Sequence, residues 1–405
     1  MTASPPMAEN RALLLILDSA GCGRAPDAAA YGDAGADTLG HIFAQSPGLT
    51  LPALDSLGLA RVMGRDGSPS RPRVVEASSI HGRLGEPSLP LRASHGRMRE
   101  RSAGKDTTTG HWEIAGAVLD EPFATFEKFP SALVQNIERE AGVTFLGNYP
   151  QSGTVILDEL GPEHLRTGHP LLYTSADSVI QIAAHESVIP PARLYEICQI
   201  ARRHADSWRI GRVIARPFTG EAGAFRRTSG RHDYSMLPPR TVLNALGDAG
   251  VPVYGVGKIS DIFAGSGIAH STPTASNAEG MAAIDSLWST PGHGLIFANL
   301  VDFDMLHGHR RDVAGYARAL TECDAWLGGF VGRVAPGDLV IITADHGNDP
   351  TWRGTDHTRE EVPLLVLHGG RTADLGTRGT FADVAATLAE FFALAEPWPV
   401  GESFL

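Results

Sequence analysis

The sequence predicts an α/β protein whose core is a doubly wound, mostly parallel sheet, with an inserted α+β cap domain. Short, continuous apolar runs such as ALLLILD (12–18), DLVIITAD (338–345) and VPLLVLH (362–368) are typical of strands buried on both faces. Helical stretches such as RDVAGYARALTECDAWLGGFVGRV (311–334) lie between such runs. Three of the strands end in an acidic residue, and open α/β sheets place their sites at such strand ends.

The remaining elements divide the chain into three parts. GLIFANLVDFD (294–304) and VPVYGVG (251–257) are further strands of the core, and ADVAATLAEFFAL is a further helix. The middle of the chain has its own helices (SALVQNIEREAG, ARLYEICQIARRHA) and strands (HPLLYTSA, RIGRVIARPF) between loop-like flanks. We therefore expect core segments at 1–119 and 241–405, with the cap at 120–240. Residues 64–104, rich in Arg, Ser, Gly and Pro, predict a long surface loop.

Composition excludes several classes of protein. The 405 residues are 42% hydrophobic and 20% charged, as in ordinary globular proteins, and the net charge of −12 argues against nucleic-acid binding. The three cysteines are far apart and odd in number, so a reducing cytoplasm is expected. The first residues lack a signal pattern, and no apolar run approaches the ~20 residues of a membrane helix.

Four stretches of the sequence contain residues of the types that commonly bind metals. Carboxylates and imidazoles together suit Mn, Zn or Fe. Each stretch alone has a structural explanation, such as a helix cap or a solvated turn. Together, at or just after strand ends of one sheet, they predict a metal centre. The candidates are Asp18 in DSAGCG, Asp302, Asp304, His307 and His309 in DFDMLHGH, Asp345, His346 and Asp349 in TADHGND, and Asp356 and His357 in GTDHTRE.

The stretch SAGKDTTTGHWE (102–113) raises the question of a nucleophile. Hydroxyls this dense in a glycine-flanked segment predict a loop with an exposed oxygen, since threonine is a poor helix former. A neighbouring cation makes such a hydroxyl more nucleophilic, and two cations suit phosphoryl transfer. Local chemistry leaves a polar turn open as the alternative, and it does not choose among Thr107, Thr108 and Thr109.

Motifs along nearly the whole chain resemble one family, the prokaryotic-type phosphopentomutases of the alkaline phosphatase superfamily. The resemblance is weakest at 64–101. The motifs that carry it are LDSAGCGRAPDAAAYGDAGADTLGHI, GKDTTTGHWEIAG, YTSADSVIQIAAHE, GRVIARPF, RHDYS, GKISDIF, NLVDFDMLHGHRRD and TADHGNDPTWRGTDHTREEVPLL.

The resemblance implies an alkaline-phosphatase-like core with two Mn²⁺ ions, for which Mg²⁺, Co²⁺ or Zn²⁺ are possible substitutes. It implies that Thr107 is the phosphorylated nucleophile, and Lys105 and Asp106 are interpreted as positioning its loop. His307 and His309 both remain candidate ligands, with the family spacing favouring His309. The implied ligands are Asp18, Thr107, Asp345 and His346 for one ion, and Asp304, His309 and His357 for the other.

The resemblance further implies interconversion of ribose 1-phosphate and ribose 5-phosphate, and of the deoxyribose pair, through a pentose 1,5-bisphosphate. Glucose 1,6-bisphosphate or a pentose bisphosphate is the expected activator. The expected partner is a small sugar phosphate, with no nucleic acid and no membrane, and a monomer is the working expectation. The candidate substrate-binding residues are Ser175, Asp177, Arg216, Arg231 and His232 in the cap, and Lys258 in the core.

Two other catalytic hypotheses are compatible with the same metal-binding core. One is a metal-dependent phosphatase, which releases phosphate instead of isomerising the sugar. The other resembles cofactor-independent phosphoglycerate mutase, although a threonine in place of the usual serine nucleophile speaks against it. A non-catalytic protein that keeps the fold is a third hypothesis, and the presence of all seven implied ligands disfavours it.

Overall fold

The computed structural model describes residues 10–65, 91–175, 178–290 and 292–405. The chain divides into two compact units, the first formed by Met1–Asp120 with Pro238–Leu405 and the second by Glu121–Leu237. A search of the described ranges finds no helix that is both long enough and apolar enough to span a membrane.

Strands and helices are numbered here in chain order over the described residues. The strands are β1 (Arg11–Leu17), β2 (Ser94–Met98), β3 (Leu146–Pro150), β4 (Leu171–Thr174), β5 (Val179–His185), β6 (Arg212–Thr219), β7 (Arg226–Arg227), β8 (His232–Ser235), β9 (Val253–Val256), β10 (His270–Thr272), β11 (Gly294–Leu300), β12 (Leu339–Thr343), β13 (Val362–Leu367) and β14 (Asp374–Arg378). The α-helices are α1 (Thr38–Gln45), α2 (Pro52–Ser56), α3 (Leu59–Val62), α4 (Thr107–Ile114), α5 (Ser131–Ala141), α6 (Val155–Thr167), α7 (Pro191–Ala205), α8 (Val242–Asp248), α9 (Ile259–Ile262), α10 (Asn277–Ser289), α11 (Val313–Phe330) and α12 (Asp383–Phe391).

The first unit is built on an eight-stranded sheet with the order β10-β9-β11-β1-β12-β13-β2-β14. The strands from β10 to β12 are parallel, β13 is antiparallel to both of its neighbours, and β14 is parallel to β2. The predicted α/β class with a mostly parallel sheet is therefore confirmed. The five apolar runs predicted as core strands are confirmed as β1, β9, β11, β12 and β13.

Strand β1 lies at the centre of this sheet, and its residues from Ala12 to Ile16 are fully buried. It pairs in parallel with β11 on one side and with β12 on the other. Since the carboxyl ends of adjacent parallel strands meet at one edge, the residues after β1, β11 and β12 share one location.

The prediction of a surface loop over residues 64–104 is wrong for residues 94–98, and residues 66–90 lie outside the described residues. Residues 94–98 form β2, a buried strand between β13 and β14. Its sequence, SHGRM, lacks the apolar run or alternation that signals a strand. Arg97 is buried there because Cys22 O accepts a hydrogen bond from its guanidinium at 2.8 Å and Glu361 forms an ion pair with it.

The second unit has its own sheet, with the order β3-β4-β5-β6-β7, and β8 also pairs with β6. Alternating side chains of these strands enter two apolar clusters. Leu172 packs in the cluster that contains residues of α5 and α7, whereas Leu171 and Tyr173 pack in the one that contains residues of α6. Helices therefore cover both faces of this sheet.

Candidate metal centre and nucleophile

Three adjacent strands deliver acidic side chains to one edge of the larger sheet. Asp18 directly follows β1, and Asp345 and His346 follow β12. Asp304 lies in a π-helical turn, Phe303–Gly308, a few residues after β11. All four side chains are buried, at the edge where the sequence predicts a site.

A short bridge between two loops adds His357 to this edge. The backbone N–H of Gly347 donates to Thr358 O at 3.0 Å, and the N–H of Thr358 donates to Gly347 O at 2.7 Å. This antiparallel pairing stacks the rings of His346 and His357, with their centroids 4.0 Å apart. A Cβ at Gly347 would lie 2.2 Å from a carboxylate oxygen of Glu360, so a larger residue there would displace that side chain.

The side chains form two overlapping groups with the geometry of metal ligands. Asp18, Asp345 and His346 form one group, and Asp304, His346 and His357 form the other, with the ligand atoms of each group within 4.8 Å of one another. His346 belongs to both. This differs in detail from the implied ligand sets, which assign His346 to one ion alone.

Buried atoms without hydrogen-bond partners fit a cation at these groups. Within the described part of the chain, Asp18 Oδ1, Asp345 Oδ2 and His357 Nε2 are buried with no hydrogen bond. Buried polar atoms are normally paired. Asp345 Oδ2 has only ion-pair contacts, at 3.1 Å with His111 Nδ1 and His346 Nε2, so a bound cation would give all three atoms a full partner. Carboxylate oxygen and imidazole nitrogen are the donors that Mn²⁺, Zn²⁺ and Fe²⁺ accept together.

The electrostatics of the site show concentrated negative charge. Burial raises the pKa of Asp18 well above its usual range, and the nearby charges of Asp345 and Asp304 raise it further. Burial also opposes ionisation of Asp345 and Asp304, but imidazoles outweigh it and hold both pKa values below the usual range. A cation bound here would keep all three carboxyl groups ionised at neutral pH.

The π-helical turn distinguishes the two candidate histidines of DFDMLHGH. The backbone N–H of His309 donates to Asp304 O at 3.0 Å, so residue 309 lies close to Asp304. His309 Nε2 is 3.1 Å from Asp304 Oδ2, whereas His307 Nδ1 lies 3.2 Å from Asp312 Oδ2. The geometry therefore favours His309 over His307 as a ligand.

The threonines begin a helix, and the prediction of a loop at this point is wrong. Asp106 is the N-cap of α4, and its carboxylate accepts hydrogen bonds from the backbone N–H groups of Thr108 and Thr109. Thr109 is buried, and its hydroxyl donates to Asp106 Oδ2 at 2.5 Å. Thr107 Oγ1 instead lies 3.0 Å from His346 Nε2, which singles it out among the three.

Gly110 allows α4 to approach the end of β12. A Cβ at this position would lie 2.2 Å from the carbonyl oxygen of Asp345, which is closer than real Cβ contacts. The absence of a side chain thus permits the spacing between Thr107 and His346. The predicted positioning role of Lys105 remains a prediction; its Nζ lies 3.0 Å from Asp33 Oδ2 and 3.6 Å from Asp356 Oδ2.

Two buried residues near the ligands have no role in the sequence-based hypotheses. His111 Nδ1 lies 2.8 Å from Thr107 O and 3.1 Å from Asp345 Oδ2, and its Nε2 lies 3.1 Å from Asn299 Nδ2. Asn299 also donates to Asp18 Oδ2 at 3.1 Å. The two side chains therefore link α4 to Asp345 and Asp18. The sequence alone carries no signal for either residue, because their partners are distant in sequence or lie in a segment predicted as a loop.

The predicted substrate-binding residues lie in different parts of the chain, and Asp177 lies outside the described residues. In the second unit, Arg216 on β6 donates to Gln181 Oε1 at 3.2 Å, and Arg231 is paired with Asp233 at 2.6 Å. The other two in this unit are Ser175, directly after β4, and His232, exposed at the start of β8. In the first unit, Lys258 caps α9, and its positive charge opposes the rise in the pKa of Asp18.

A family profile and named relatives match nearly the whole chain. The profile of the metalloenzyme superfamily matches residues 10–396. A protein named phosphopentomutase from Anaeromyxobacter sp. (strain K) is 53% identical over 399 residues, which cover 98% of each chain. One of the same name from Syntrophotalea carbinolica is 52% identical over 400 residues, covering 98% of this chain and 97% of the other. Among solved structures, phosphoglycerate mutase of Leishmania mexicana has a TM-score of 0.47 at 12% identity, covering 99% of this chain and 98% of that one.

Proposed function

This chain belongs to the phosphopentomutase family of the metalloenzyme superfamily, and from that premise we propose that it interconverts ribose 1-phosphate and ribose 5-phosphate, and the deoxyribose pair, through a phosphorylated Thr107. As a member of the family it is an isomerase, an intramolecular phosphotransferase. The observation that carries the proposed chemistry is the 3.0 Å distance between Thr107 Oγ1 and His346 Nε2.

We propose two Mn²⁺ ions as the resident metals. When bound, such ions stabilise the negative charge that develops on phosphoryl and hydroxyl oxygens during transfer. Asp18, Asp345 and His346 would hold one ion with Thr107, and Asp304, His309 and His357 would hold the other. Mg²⁺, Co²⁺ or Zn²⁺ are possible substitutes. The unpaired atoms of Asp18, Asp345 and His357 support the proposal.

In the proposed reaction, the phosphoryl group of phosphorylated Thr107 passes to a hydroxyl of the sugar monophosphate. The bond between phosphorus and Thr107 Oγ1 breaks, a bond to the sugar oxygen forms, and the threonine hydroxyl regains the proton that the sugar hydroxyl loses. The sugar is then a 1,5-bisphosphate, whose other phosphoryl group returns to Thr107. Glucose 1,6-bisphosphate or a pentose 1,5-bisphosphate would supply the first phosphoryl group.

Arginines of the second unit are proposed to bind the non-reacting phosphate. Burial lowers the pKa of the half-buried Arg216, and the positive charges of Arg231 and Arg227 lower it further. A phosphate dianion would relieve this repulsion, and the planar guanidinium group matches two phosphate oxygens at once. Ser175, Asp177 and His232 are proposed to contact the sugar, and Lys258 to add positive charge near the transferring group.

We also propose a cytoplasmic location. The three cysteines of the chain are buried free thiols in the structure. Burial raises the pKa of the Cys22 and Cys323 thiols to about 12, so both are inert. Widely separated free thiols are typical of a reducing compartment.

The proposed function is tested with purified protein, Mn²⁺ and glucose 1,6-bisphosphate. We expect ribose 5-phosphate and ribose 1-phosphate to reach the same equilibrium from either side, with little free phosphate released. Dominant release of phosphate would show a phosphatase instead. Isomerisation of phosphoglycerate, but not of pentose phosphates, would favour the phosphoglycerate mutase alternative.

A further inference from the structure

The segment 100–106 connects β2 to α4 and lies outside any strand or helix, so its backbone polar groups need partners from elsewhere. The backbone N–H groups of Arg101 and Ser102 donate to the Glu113 carboxylate at 2.9 and 2.5 Å. The backbone carbonyl groups of Glu100, Ser102 and Gly104 also have a side-chain partner. They accept from the Arg359 guanidinium at 2.6, 2.9 and 2.6 Å, respectively. Two buried side chains of opposite charge therefore hold the segment.

Arg359 uses its full set of donors in this arrangement. Its Nε and Nη2 donate to the Asp27 carboxylate, with Nη2 at 2.8 Å, and its Nη1 also donates to Glu100 Oε2 at 2.6 Å. Its backbone N–H donates at 2.9 Å to Asp33 Oδ2, the oxygen that also accepts from Lys105 Nζ. The side chain is only 3% exposed. Such a multiply bonded, buried guanidinium fixes the position of the groups around it.

Arg359 also lies two residues after His357, a ligand of the candidate metal centre. The same short segment therefore supplies one side chain to the metal groups and another to the backbone that precedes Thr107. We propose that Arg359 is a positioning residue, which fixes Thr107 relative to the metal ligands by holding residues 100–106. This inference rests on the proposed function of Thr107 as the phosphoryl acceptor.

Lysine cannot replace Arg359 in this role. Its ammonium group has three donors at one point, whereas the guanidinium reaches three carbonyl groups and two carboxylates from separate nitrogen atoms. A matched control is Arg97, which is 1% exposed and bonded to Cys22 O, Val62 O and Glu361, none of them in segment 100–106. Substitution of Arg97 therefore removes the hydrogen bonds of a buried arginine but leaves the contacts between Arg359 and segment 100–106 in place.

The test compares Arg359→Lys and Arg97→Lys with the unchanged protein. The measured quantities are the rate of radiolabelled phosphoryl transfer from glucose 1,6-bisphosphate to Thr107, kcat and KM for ribose 5-phosphate, and amide hydrogen exchange over residues 100–110. For Arg359→Lys we expect faster exchange and a loss of about 100-fold in transfer rate and kcat, with KM little changed, because small displacements of a reacting group have costs of that order. Arg97→Lys should keep the transfer rate and the exchange pattern.

The inference is overturned if Arg359→Lys keeps its transfer rate and exchange, or if Arg97→Lys loses as much as Arg359→Lys. If Arg359→Lys does not fold, Asp27→Asn replaces it, since Asp27 is 43% exposed and loosens only the outer end of the guanidinium. Unchanged exchange and transfer in that variant would also overturn the inference. Absence of label in the unchanged protein would instead contradict the proposed function. The exchange measurement would still show whether Arg359 holds residues 100–106.

Discussion

Thr107 Oγ1 lies 3.0 Å from Nε2 of His346, the side chain that the two groups of candidate metal ligands share among the described residues. This contact joins the first turn of α4 to the end of β12. A hydroxyl at the N-terminus of a helix is also well placed to carry a phosphate, since the helix dipole favours negative charge there. The relationship connects the fold, the candidate metals and the proposed nucleophile.

Loss of His309 should remove one metal ion, whereas loss of His307 should not. His309 faces Asp304 and His307 faces Asp312. We expect His309→Ala to bind one Mn²⁺ per chain and His307→Ala to bind two, measured by elemental analysis after dialysis against Mn²⁺. The opposite pattern would show that His307 is the ligand.

Gly110→Ala should inactivate the protein although alanine favours helices. The new Cβ would lie 2.2 Å from Asp345 O, so α4 must move away from β12. We expect a loss of stability of about 1–3 kcal/mol, the usual cost of overpacking, and a large loss of kcat. Thermal unfolding and a mutase assay measure the two effects.

Gly329→Ala is the control for this substitution. Gly329 also lies in a helix, but a Cβ there would meet no atom within 4 Å. We expect this variant to be slightly more stable, by up to about 1 kcal/mol, and fully active. Equal behaviour of the two variants would contradict the close approach at Gly110.

His111→Phe should weaken metal binding while keeping the volume of the side chain. Its imidazole contacts Asp345 directly and Asp18 through Asn299, and loss of such supporting contacts typically lowers metal affinity by about 10–100-fold. Isothermal titration with Mn²⁺ measures the change.

His164→Phe is the control for His111→Phe. His164 is equally buried, but among the described residues its ring nitrogens contact only the backbone of His169 and His185 in the second unit. This variant should lose stability and keep its Mn²⁺ affinity. An unchanged Mn²⁺ affinity in His111→Phe would show that His111 does not support metal binding.

Glu360 should make stability fall with rising pH. Burial raises the pKa of this carboxyl from its usual 4.5 to about 7, although hydrogen bonds from Thr38, Thr358 and Gly23 oppose the rise. Because the unfolded chain ionises at lower pH, this contribution is fully present below about 4.5 and is lost as pH rises through about 7. The loss amounts to about 3 kcal/mol at most.

Glu360→Gln removes the ionisable group and keeps its shape. We expect the free energy of unfolding of the variant to fall less between pH 5 and pH 8 than that of the unchanged protein, measured by urea denaturation at both pH values. Parallel changes in the two proteins would contradict the assignment to Glu360.

The sequence predicted the buried parallel strands well because a strand covered on both faces must be apolar along its length, as β1 is. It also predicted that Asp18 and Asp345 lie at one edge of the sheet, since both follow such strands. Strand β2 was missed because its buried Arg97 is stabilised by partners that are distant in sequence.

Local propensity misled the interpretation at the threonines. Three threonines disfavour a helix by themselves, but the Asp106 cap and the packing of α4 outweigh this preference. Family spacing favoured His309 over His307 from the sequence, and the physical reason for that preference, a π-helical turn that brings residue 309 close to Asp304, is visible only in the structure. His111 was missed because an isolated histidine carries no signal until its neighbours Asp345 and Asn299 are known.

Substitution of the threonines should separate the nucleophile from its neighbours. Thr107→Ala removes the only one of the three hydroxyls that lies beside His346, so we expect it to abolish turnover. Thr108→Ala, the matched control on the same turn, should stay active. Both variants keep the Asp106 cap, because its bonds are to the backbone N–H groups of residues 108 and 109.

Phosphopeptide mapping tests the central claim most directly. The protein is incubated with Mn²⁺ and glucose 1,6-bisphosphate, digested, and fragmented in a mass spectrometer to locate the phosphate. The account predicts one phosphate on Thr107, and none after Thr107→Ala. Phosphate on Thr108 or Thr109, or an active enzyme that carries no phosphate at all, would contradict it.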